Sequence, residues 1–187
     1  NHKQFPVLDE EIGKQMKQEI ENARNRQDSV GGILETVISG VEAGIGEPTF
    51  SSLESMLSEA MFSIPAVKGI EFGSGFDFAN MYGSEANDAW IIQDNKVIAK
   101  TNHNGGINGG ISNGMPITFK TVIKPTPSIS LEQDSVNYET KENVKLSISG
   151  RHDPAIIHRA RAVVDAMTAL VIADAYMMTY GRKWFEK

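Results

Sequence analysis

The chain has 187 residues, 40% of them hydrophobic, which is enough to bury the core of one domain. Its formal net charge of −6 and its pI near 5.2 argue against a general nucleic-acid binder, for which a basic surface is expected. Without cysteine, disulfides and thiolate metal sites are excluded. The sequence has no apolar run of the roughly 20 residues that span a bilayer and no signal-peptide pattern at its start. We therefore expect a cytoplasmic protein that binds neither nucleic acid nor membrane.

The first half of the chain is expected to alternate helices with strands. Apolar residues at helical spacing among charged ones predict amphipathic helices, and β-branched runs predict strands. The predicted elements are a helix at 9–26, a strand at 33–41, a helix at 53–61 capped by Ser51 or Ser52, a strand at 66–72, and a hairpin of 90–93 with 96–99. The polar stretch around Glu85, Asn87 and Asp88 is interpreted as turn caps, with a site role as the alternative.

The second half is expected to contain strands at 117–123 and 144–149 and one long helix at 153–180. Ile156, Ala160 and Val163 begin an apolar stripe that covers most of this helix, so we expect it to be central. Pro154 suits its first turn, and Asp153 is the predicted N-cap.

The most informative stretch is glycine-rich and runs from Thr101 to Ser128 as TNHNGGINGGISNGMPITFKTVIKPTPS. Two interpretations are open for it. Backbone N–H groups without shielding side chains could approach a ligand closely, with Lys120 and Lys124 supplying positive charge. Alternatively, the glycines mark a mobile surface loop. The stretch contains neither GxxxxGK[ST] nor a GxGxxG between a strand and a helix, which argues against a triphosphatase or a nicotinamide-binding Rossmann domain.

A second candidate for chemistry is GRHDP, which begins at Gly150. Arg151 and Asp153 taken separately are an ordinary surface cation and an ordinary helix cap. Together with His152, at the N-terminus of a buried helix, they form a cation, an imidazole and a carboxylate at an anion-binding position. The four histidines of the chain show no ligand spacing, so we expect no metal site.

With these motifs in view, the chain resembles the C-terminal half of the chorismate synthase family. The match runs nearly end to end. The segments that carry it are DSVGG at Asp28, GEP at Gly46, SIPAVKGIEFGSGF from Ser63, GSEAND from Gly83, TNHNGGINGGISNGMPI from Thr101, IKPTPSI from Ile123 and GRHDP from Gly150.

The resemblance implies an α+β fold of the chorismate synthase type, a β-α-β sandwich with central helices between antiparallel sheets, of which this chain is a part. It implies a homotetrameric lyase of the shikimate pathway of aromatic amino acid biosynthesis. The implied reaction is anti 1,4-elimination of phosphate from 5-enolpyruvylshikimate 3-phosphate to give chorismate. Reduced FMN is the implied cofactor although there is no net redox change, and the resemblance leaves open whether the full enzyme reduces its own flavin through NADP.

The resemblance also implies site residues. Arg151 would be shared by flavin and substrate phosphate, and Asp153 would be the catalytic carboxylate near the flavin N5 that helps to move the proton lost from the substrate. The other implied flavin contacts are Pro65, Ala66, Gly109, Lys124, Pro125, Thr126, Pro127 and Ser128.

The family's first half, with its GESHG segment, its RPGHAD segment and the serine-arginine stretch between that half and this one, is not found in this sequence. Those segments supply both catalytic histidines and most substrate-binding arginines, and His103 and His152 occupy other positions. We therefore expect residues 1–187 to be the C-terminal half of a single chorismate synthase domain, inactive without the N-terminal half. The alternative function is a non-catalytic, self-associating module that binds flavin or an anion.

Overall fold

The computed structural model describes residues 5–150 and 152–181, and it combines helices with strands as expected. In these ranges the α-helices are α1 (Glu10–Asn25), α2 (Leu53–Phe62), α3 (Gly83–Ala86) and α4 (Ile157–Tyr180), with a 3-10 helix at Gly75–Asn80. The strands of the same ranges are β1 (Gly32–Ile38), β2 (Val67–Phe72), β3 (Trp90–Gln93), β4 (Lys96–Ala99), β5 (Ile107–Asn108), β6 (Ile111–Ser112), β7 (Ile117–Ile123), β8 (Gln133–Asn137) and β9 (Glu142–Leu146).

The chain divides into two compact units. Unit 1 consists of Asn1–Gly32 and Ile123–Arg161, and unit 2 consists of Ile33–Val122 and Ala162–Lys187. That residues 1–187 form half of a single domain stays a prediction.

Unit 1 contains α1 and the β8–β9 hairpin. The Asp9 carboxylate caps α1 by accepting hydrogen bonds from the backbone N–H groups of Glu11 and Ile12, as the acidic start of this helix indicates. Strands β8 and β9 are antiparallel, with Gln133 opposite Leu146. Because β9 is exposed along its whole length, this hairpin contributes little to a core.

Unit 2 is built on a three-stranded sheet in the order β1-β7-β2. Residues of β7 alternate between buried and more exposed positions, and the rings of Phe72 and Phe119 lie 5.8 Å apart. Helix α2 begins after Ser52, whose hydroxyl accepts from the backbone N–H of Ser55, and its buried side chains Leu53, Leu57 and Met61 belong to the core. The sheet and α2 thus form the scaffold from which the loops of this unit emerge.

Helix α4 begins at Ile157, four residues later than predicted, and Asp153 is therefore not its N-cap. Val164, Thr168 and Ala175 are buried, whereas Leu170 is 64% exposed. By length and composition α4 could cross a membrane, contrary to the expectation that no run of the chain is apolar enough. This is weak support for a membrane span, because the core helix of a soluble protein passes the same test.

Candidate functional site

The glycine-rich stretch in unit 2 is organised around the carboxylate of Asp88. Its Oδ1 accepts from the Thr101 hydroxyl and the His103 backbone N–H, both at 2.7 Å. Its Oδ2 accepts from the backbone N–H of Asn104 at 2.9 Å and from the Asn104 side-chain amide at 2.8 Å. One carboxylate therefore fixes the start of the loop at four points, which favours the turn interpretation of this polar stretch.

The electrostatics of Asp88 follow from these contacts. Burial disfavours the charged form and by itself raises the pKa of Asp88. The hydrogen bonds from Asn104, Thr101 and His103 stabilise the carboxylate more strongly and lower its pKa from 3.8 to about 2. Asp88 is thus a charged structural residue at any ordinary pH.

The glycines of the loop have two different roles. A Cβ on Gly105, Gly106 or Gly110 would lie 2.5 Å from a backbone atom of another segment, so these three allow backbone to pack on backbone. Gly109 differs, because a Cβ there would meet nothing within 4 Å. Gly109 and Gly110 form the two-residue turn between β5 and β6, and positive φ at both is typical of a type I′ hairpin.

The implied flavin contacts Pro65 and Ala66 lie in a tight turn between α2 and β2. The backbone N–H of Val67 donates to the Ile64 carbonyl at 3.3 Å, with Pro65 and Ala66 at the corners. Ala66 has a φ of +75°, a left-handed conformation that costs a non-glycine residue roughly 1 to 2 kcal/mol. Pro65 is exposed, so this strained turn is accessible to solvent.

Lys120 does not supply a free charge, contrary to the sequence interpretation. Its ammonium lies 3.1 Å from the Glu71 carboxylate across the sheet of unit 2. The hydrogen bond from Lys120 lowers the pKa of Glu71, and the same bond raises the pKa of Lys120. Lys124 in unit 1 is exposed, and among the described residues it has no ion-pair partner.

The segment Lys124–Ser128 in unit 1 is held by residues near the end of α1. The Ser29 hydroxyl donates to the Thr126 carbonyl at 2.6 Å. A Cβ on Gly31 would lie 2.4 Å from the Ile123 carbonyl oxygen, so the two backbones pack closely there. The hydroxyl of Thr126 is buried and finds no hydrogen-bond partner in the described part of the chain. A buried hydroxyl without a hydrogen-bond partner lowers the stability of the fold unless a ligand supplies that partner.

Asp153 also lies in unit 1, and contacts with nearby residues of the chain hold its carboxylate. Its carboxylate contacts the Arg159 guanidinium at 2.5 Å and accepts a 3.4 Å hydrogen bond from the Ala155 backbone N–H. The side chain of Asp153 is 31% exposed, so solvent or a ligand can reach it. His152 makes a 2.8 Å contact from its Nε2 to the Ile148 carbonyl. Arg151, the other implied site residue, lies outside the described residues.

The implied site residues are thus divided between the units. Pro65, Ala66 and Gly109 belong to unit 2, and Lys124–Ser128 belong to unit 1 with Asp153. In the described ranges, no group of three or more acidic, histidine or cysteine side chains is placed so that it could hold a metal ion.

The structure adds Ser29 and Asp88 to the residues that shape these segments. In the sequence, Ser29 stands out only as part of the DSVGG motif, and Asp88 is predicted to be a turn cap. For Asp88, the clue was a carboxylate in a polar turn ahead of a glycine cluster. No pattern near Ser29 indicates its bond to Thr126, 97 residues away.

Comparison with known proteins gives the same family throughout. The sequence model of the chorismate synthase family matches residues 1–177. The chorismate synthase of Methanosarcina mazei is 49% identical over 183 residues, which are 97% of this chain and 50% of the relative. The chorismate synthase of Archaeoglobus fulgidus is 52% identical over 151 residues, which are 81% of this chain and 42% of the relative.

A crystal structure of chorismate synthase superposes with a TM-score of 0.73 and 28% identity, covering 91% of this chain and 44% of that one. The chain therefore spans about half the length of the curated relatives that it matches. The mixed helix-and-strand fold expected from the sequence is confirmed by this superposition. On the family match and these identities, the chain belongs to the chorismate synthase family.

Proposed function

We propose that this chain forms part of a cytoplasmic, homotetrameric chorismate synthase. The reaction is the anti 1,4-elimination of phosphate from 5-enolpyruvylshikimate 3-phosphate, with reduced FMN as the cofactor. Support comes from the family match over residues 1–177 and from relatives of about 49% identity with that name. Because the chain spans about half of those relatives, the activity is proposed for the whole protein.

The observation that carries the cofactor proposal is the state of the segment Lys124–Ser128. Lys124 is exposed and without an ion-pair partner among the described residues, and the Thr126 hydroxyl is buried and unpaired there. A phosphate group takes a cation and hydroxyl donors, so this segment fits the phosphate end of FMN.

Each residue then has a distinct role. Lys124 and the Thr126 hydroxyl bind the cofactor phosphate, and Arg151 contacts both the cofactor and the phosphate that leaves the substrate. When bound, reduced FMN supplies an electron-rich ring beside the substrate and ends the reaction in the oxidation state in which it began.

Asp153 handles the proton. The elimination breaks one C–H bond and one C–O bond and forms a double bond, and phosphate carries away the electron pair of the C–O bond. We assign to the Asp153 carboxylate the transfer of the released proton, because its 31% exposure leaves it accessible to a reacting group. Its contact with Arg159 fixes the direction in which the carboxylate points.

The test is Asp153→Asn in the full-length protein, assayed with chemically reduced FMN. We expect turnover to fall by about 10²-fold or more, because loss of a proton-transfer group typically costs about 10² to 10⁴-fold. Asp134→Asn is the matched control, since Asp134 is also paired with a cation in unit 1, Lys145, and is 89% exposed. Turnover should be unchanged in this control. Near-normal turnover in Asp153→Asn would remove this role.

The 187-residue chain assayed alone should show no detectable chorismate formation, and addition of the remaining half of the family fold should restore it. Turnover by the isolated chain would contradict the proposed division of the site. If the full-length protein binds FMN but forms no chorismate, the non-catalytic flavin-binding module becomes the better description.

A further inference from the structure

Ser29 belongs to a short segment that touches both implied site segments of unit 1. This segment, residues 28–31, is here called the strap. The Ser29 hydroxyl donates to the Thr126 carbonyl at 2.6 Å, and the Val30 backbone N–H donates to the Pro154 carbonyl at 2.8 Å. Thr126 lies in the segment proposed to bind the FMN phosphate, and Pro154 directly follows Asp153.

The contacts of the strap leave its backbone little room to move. At Gly31 a Cβ would lie 2.4 Å from the Ile123 carbonyl oxygen and 3.0 Å from Pro125, so the strap lies against the backbone that leads into the phosphate segment. Asp28 is held in turn, because its backbone N–H donates to the Ala23 carbonyl at 2.9 Å at the end of α1. The strap is therefore anchored to a helix on one side and to both site segments on the other.

The Ser29 bond acts on the backbone of the phosphate segment and not on a ligand. Thr126 lies between Pro125 and Pro127, neither of which has an N–H to donate, so the segment has few backbone hydrogen bonds of its own. A side-chain donor from outside is then the main polar contact that sets the direction of the Thr126 peptide group. The unpaired hydroxyl belongs to the same residue, so a shift of the Thr126 backbone would move it as well.

We propose that Ser29 is a positioning residue for cofactor binding, which orients the Thr126 peptide so that the Thr126 hydroxyl and Lys124 converge on the FMN phosphate. This inference rests on the proposed function. It assigns to the DSVGG motif the support of the phosphate segment, with Val30 linking the same strap to the backbone beside Asp153.

The experiment measures binding of oxidised FMN to the full-length protein by quenching of flavin fluorescence, for wild type, Ser29→Ala and Ser29→Thr. The dissociation constant of FMN should rise about tenfold in Ser29→Ala, because this variant lacks one hydrogen bond of typical strength that the wild type makes. Ser29→Thr retains the hydroxyl and should stay within about twofold of wild type. Ser147→Ala removes another hydroxyl-to-carbonyl bond of unit 1, 2.7 Å long to Ser130, and should leave FMN binding unchanged.

Riboflavin, which lacks the phosphate, separates positioning of the phosphate segment from a general loss of structure. It should bind wild type and Ser29→Ala equally, and the melting temperatures of Ser29→Ala and Ser147→Ala should be similar. Unchanged FMN binding in Ser29→Ala, or an equal loss for FMN and riboflavin, would overturn the inference. If wild type itself binds neither flavin, the proposed function fails first and the inference with it.

Discussion

Two parts of the stretch from Thr101 to Ser128, the glycine loop at 101–114 in unit 2 and the segment Lys124–Ser128 in unit 1, satisfy their polar groups in opposite ways. The loop makes its own bonds: Asp88 accepts four hydrogen bonds, and three glycines pack directly against backbone. The phosphate segment keeps an exposed lysine and a buried hydroxyl that is unpaired among the described residues.

The difference bears on how a ligand-binding segment can be recognised in a structure. A high glycine content is as typical of close backbone packing as of room for a ligand. In this loop the open space at Gly109 fits the second interpretation. Unpaired donors next to an uncompensated charge are a more specific signal, because buried polar groups are normally satisfied.

The largest loss of stability is expected for Gly106→Ala, in comparison with Gly109→Ala in the same loop. The new Cβ would lie 2.5 Å from the Pro116 carbonyl oxygen at a φ of +79°, so both a clash and a left-handed alanine would result. We expect a loss of about 3 to 5 kcal/mol in the free energy of unfolding, measured with urea. Gly109→Ala is the matched change with open space, and it should cost only about 1 kcal/mol. Equal losses would mean that the loop is uniformly mobile.

Removal of the carboxylate that organises the loop should come next. Asp88→Ala leaves the N–H groups of His103 and Asn104 without their acceptor, and we expect a loss of about 2 to 4 kcal/mol. Asp88→Asn keeps one carbonyl oxygen as an acceptor and should lose about half as much. Thermal and urea unfolding of the three proteins would measure this order, and a neutral Asp88→Ala would contradict the role of Asp88.

The same carboxylate predicts an acid dependence of stability. The pKa of Asp88 is about 2 when folded and 3.8 ordinarily, so its ionised form is favoured by folding. This contribution is fully present above about pH 4 and is lost as the pH falls towards about 2. For a partly accessible group we expect about 1 to 2 kcal/mol. In Asp88→Asn, the free energy of unfolding should fall less between two acidic pH values than it does in the wild type.

For the phosphate segment, Thr126→Val replaces the unpaired hydroxyl with a methyl group of similar shape. The stability without ligand should stay constant or rise by up to about 1 kcal/mol, whereas the FMN dissociation constant should rise about tenfold. Thr121→Val is the matched control, because the Thr121 hydroxyl is also buried and unpaired in the described chain but lies in β7 of unit 2. A similar loss of FMN binding in both variants would remove the special role of Thr126.

The smallest effect concerns the two lysines. Lys120→Met breaks a partly exposed ion pair with Glu71 and should cost less than about 1 kcal/mol, with FMN binding unchanged. Lys124→Met should weaken FMN binding several-fold without a change in melting temperature. Titration calorimetry of the two variants measures FMN binding, and their melting temperatures report stability. A reversed result would show that the ion pair of unit 2 opens to bind the ligand.

Much of the local fold could be predicted from the sequence. The helix start near Asp9, the cap Ser52, the hairpin with its turn at Asp94 and Asn95, and β7 at Ile117–Ile123 agree with the structure. These features depend on a few neighbouring residues, and both turn residues adopt the positive φ that a type I′ turn requires.

Features that depend on distant partners could not be predicted. The long helix begins late because the Pro154 carbonyl accepts from Val30, 124 positions earlier, and Ile156 supplies the acceptor for the first turn instead. The sequence predicts no strand at β8, because the stretch Gln133–Asn137 lacks apolar alternation and its hydrogen bonds come from pairing with β9. The implied contacts at Pro65, Gly109, Lys124–Ser128 and Asp153 stay predictions until the variants are measured.

The strained turn at Ala66 has a consequence for protein engineering. Selection for thermal stability would favour Ala66→Gly, because glycine adopts the φ of +75° without the cost of a left-handed alanine, about 1 kcal/mol. The same change would loosen a turn that the family resemblance places beside the flavin. Under the proposed function, a variant stabilised in this way is expected to exchange turnover of the full-length protein for heat resistance, so engineering for stability should leave position 66 unchanged.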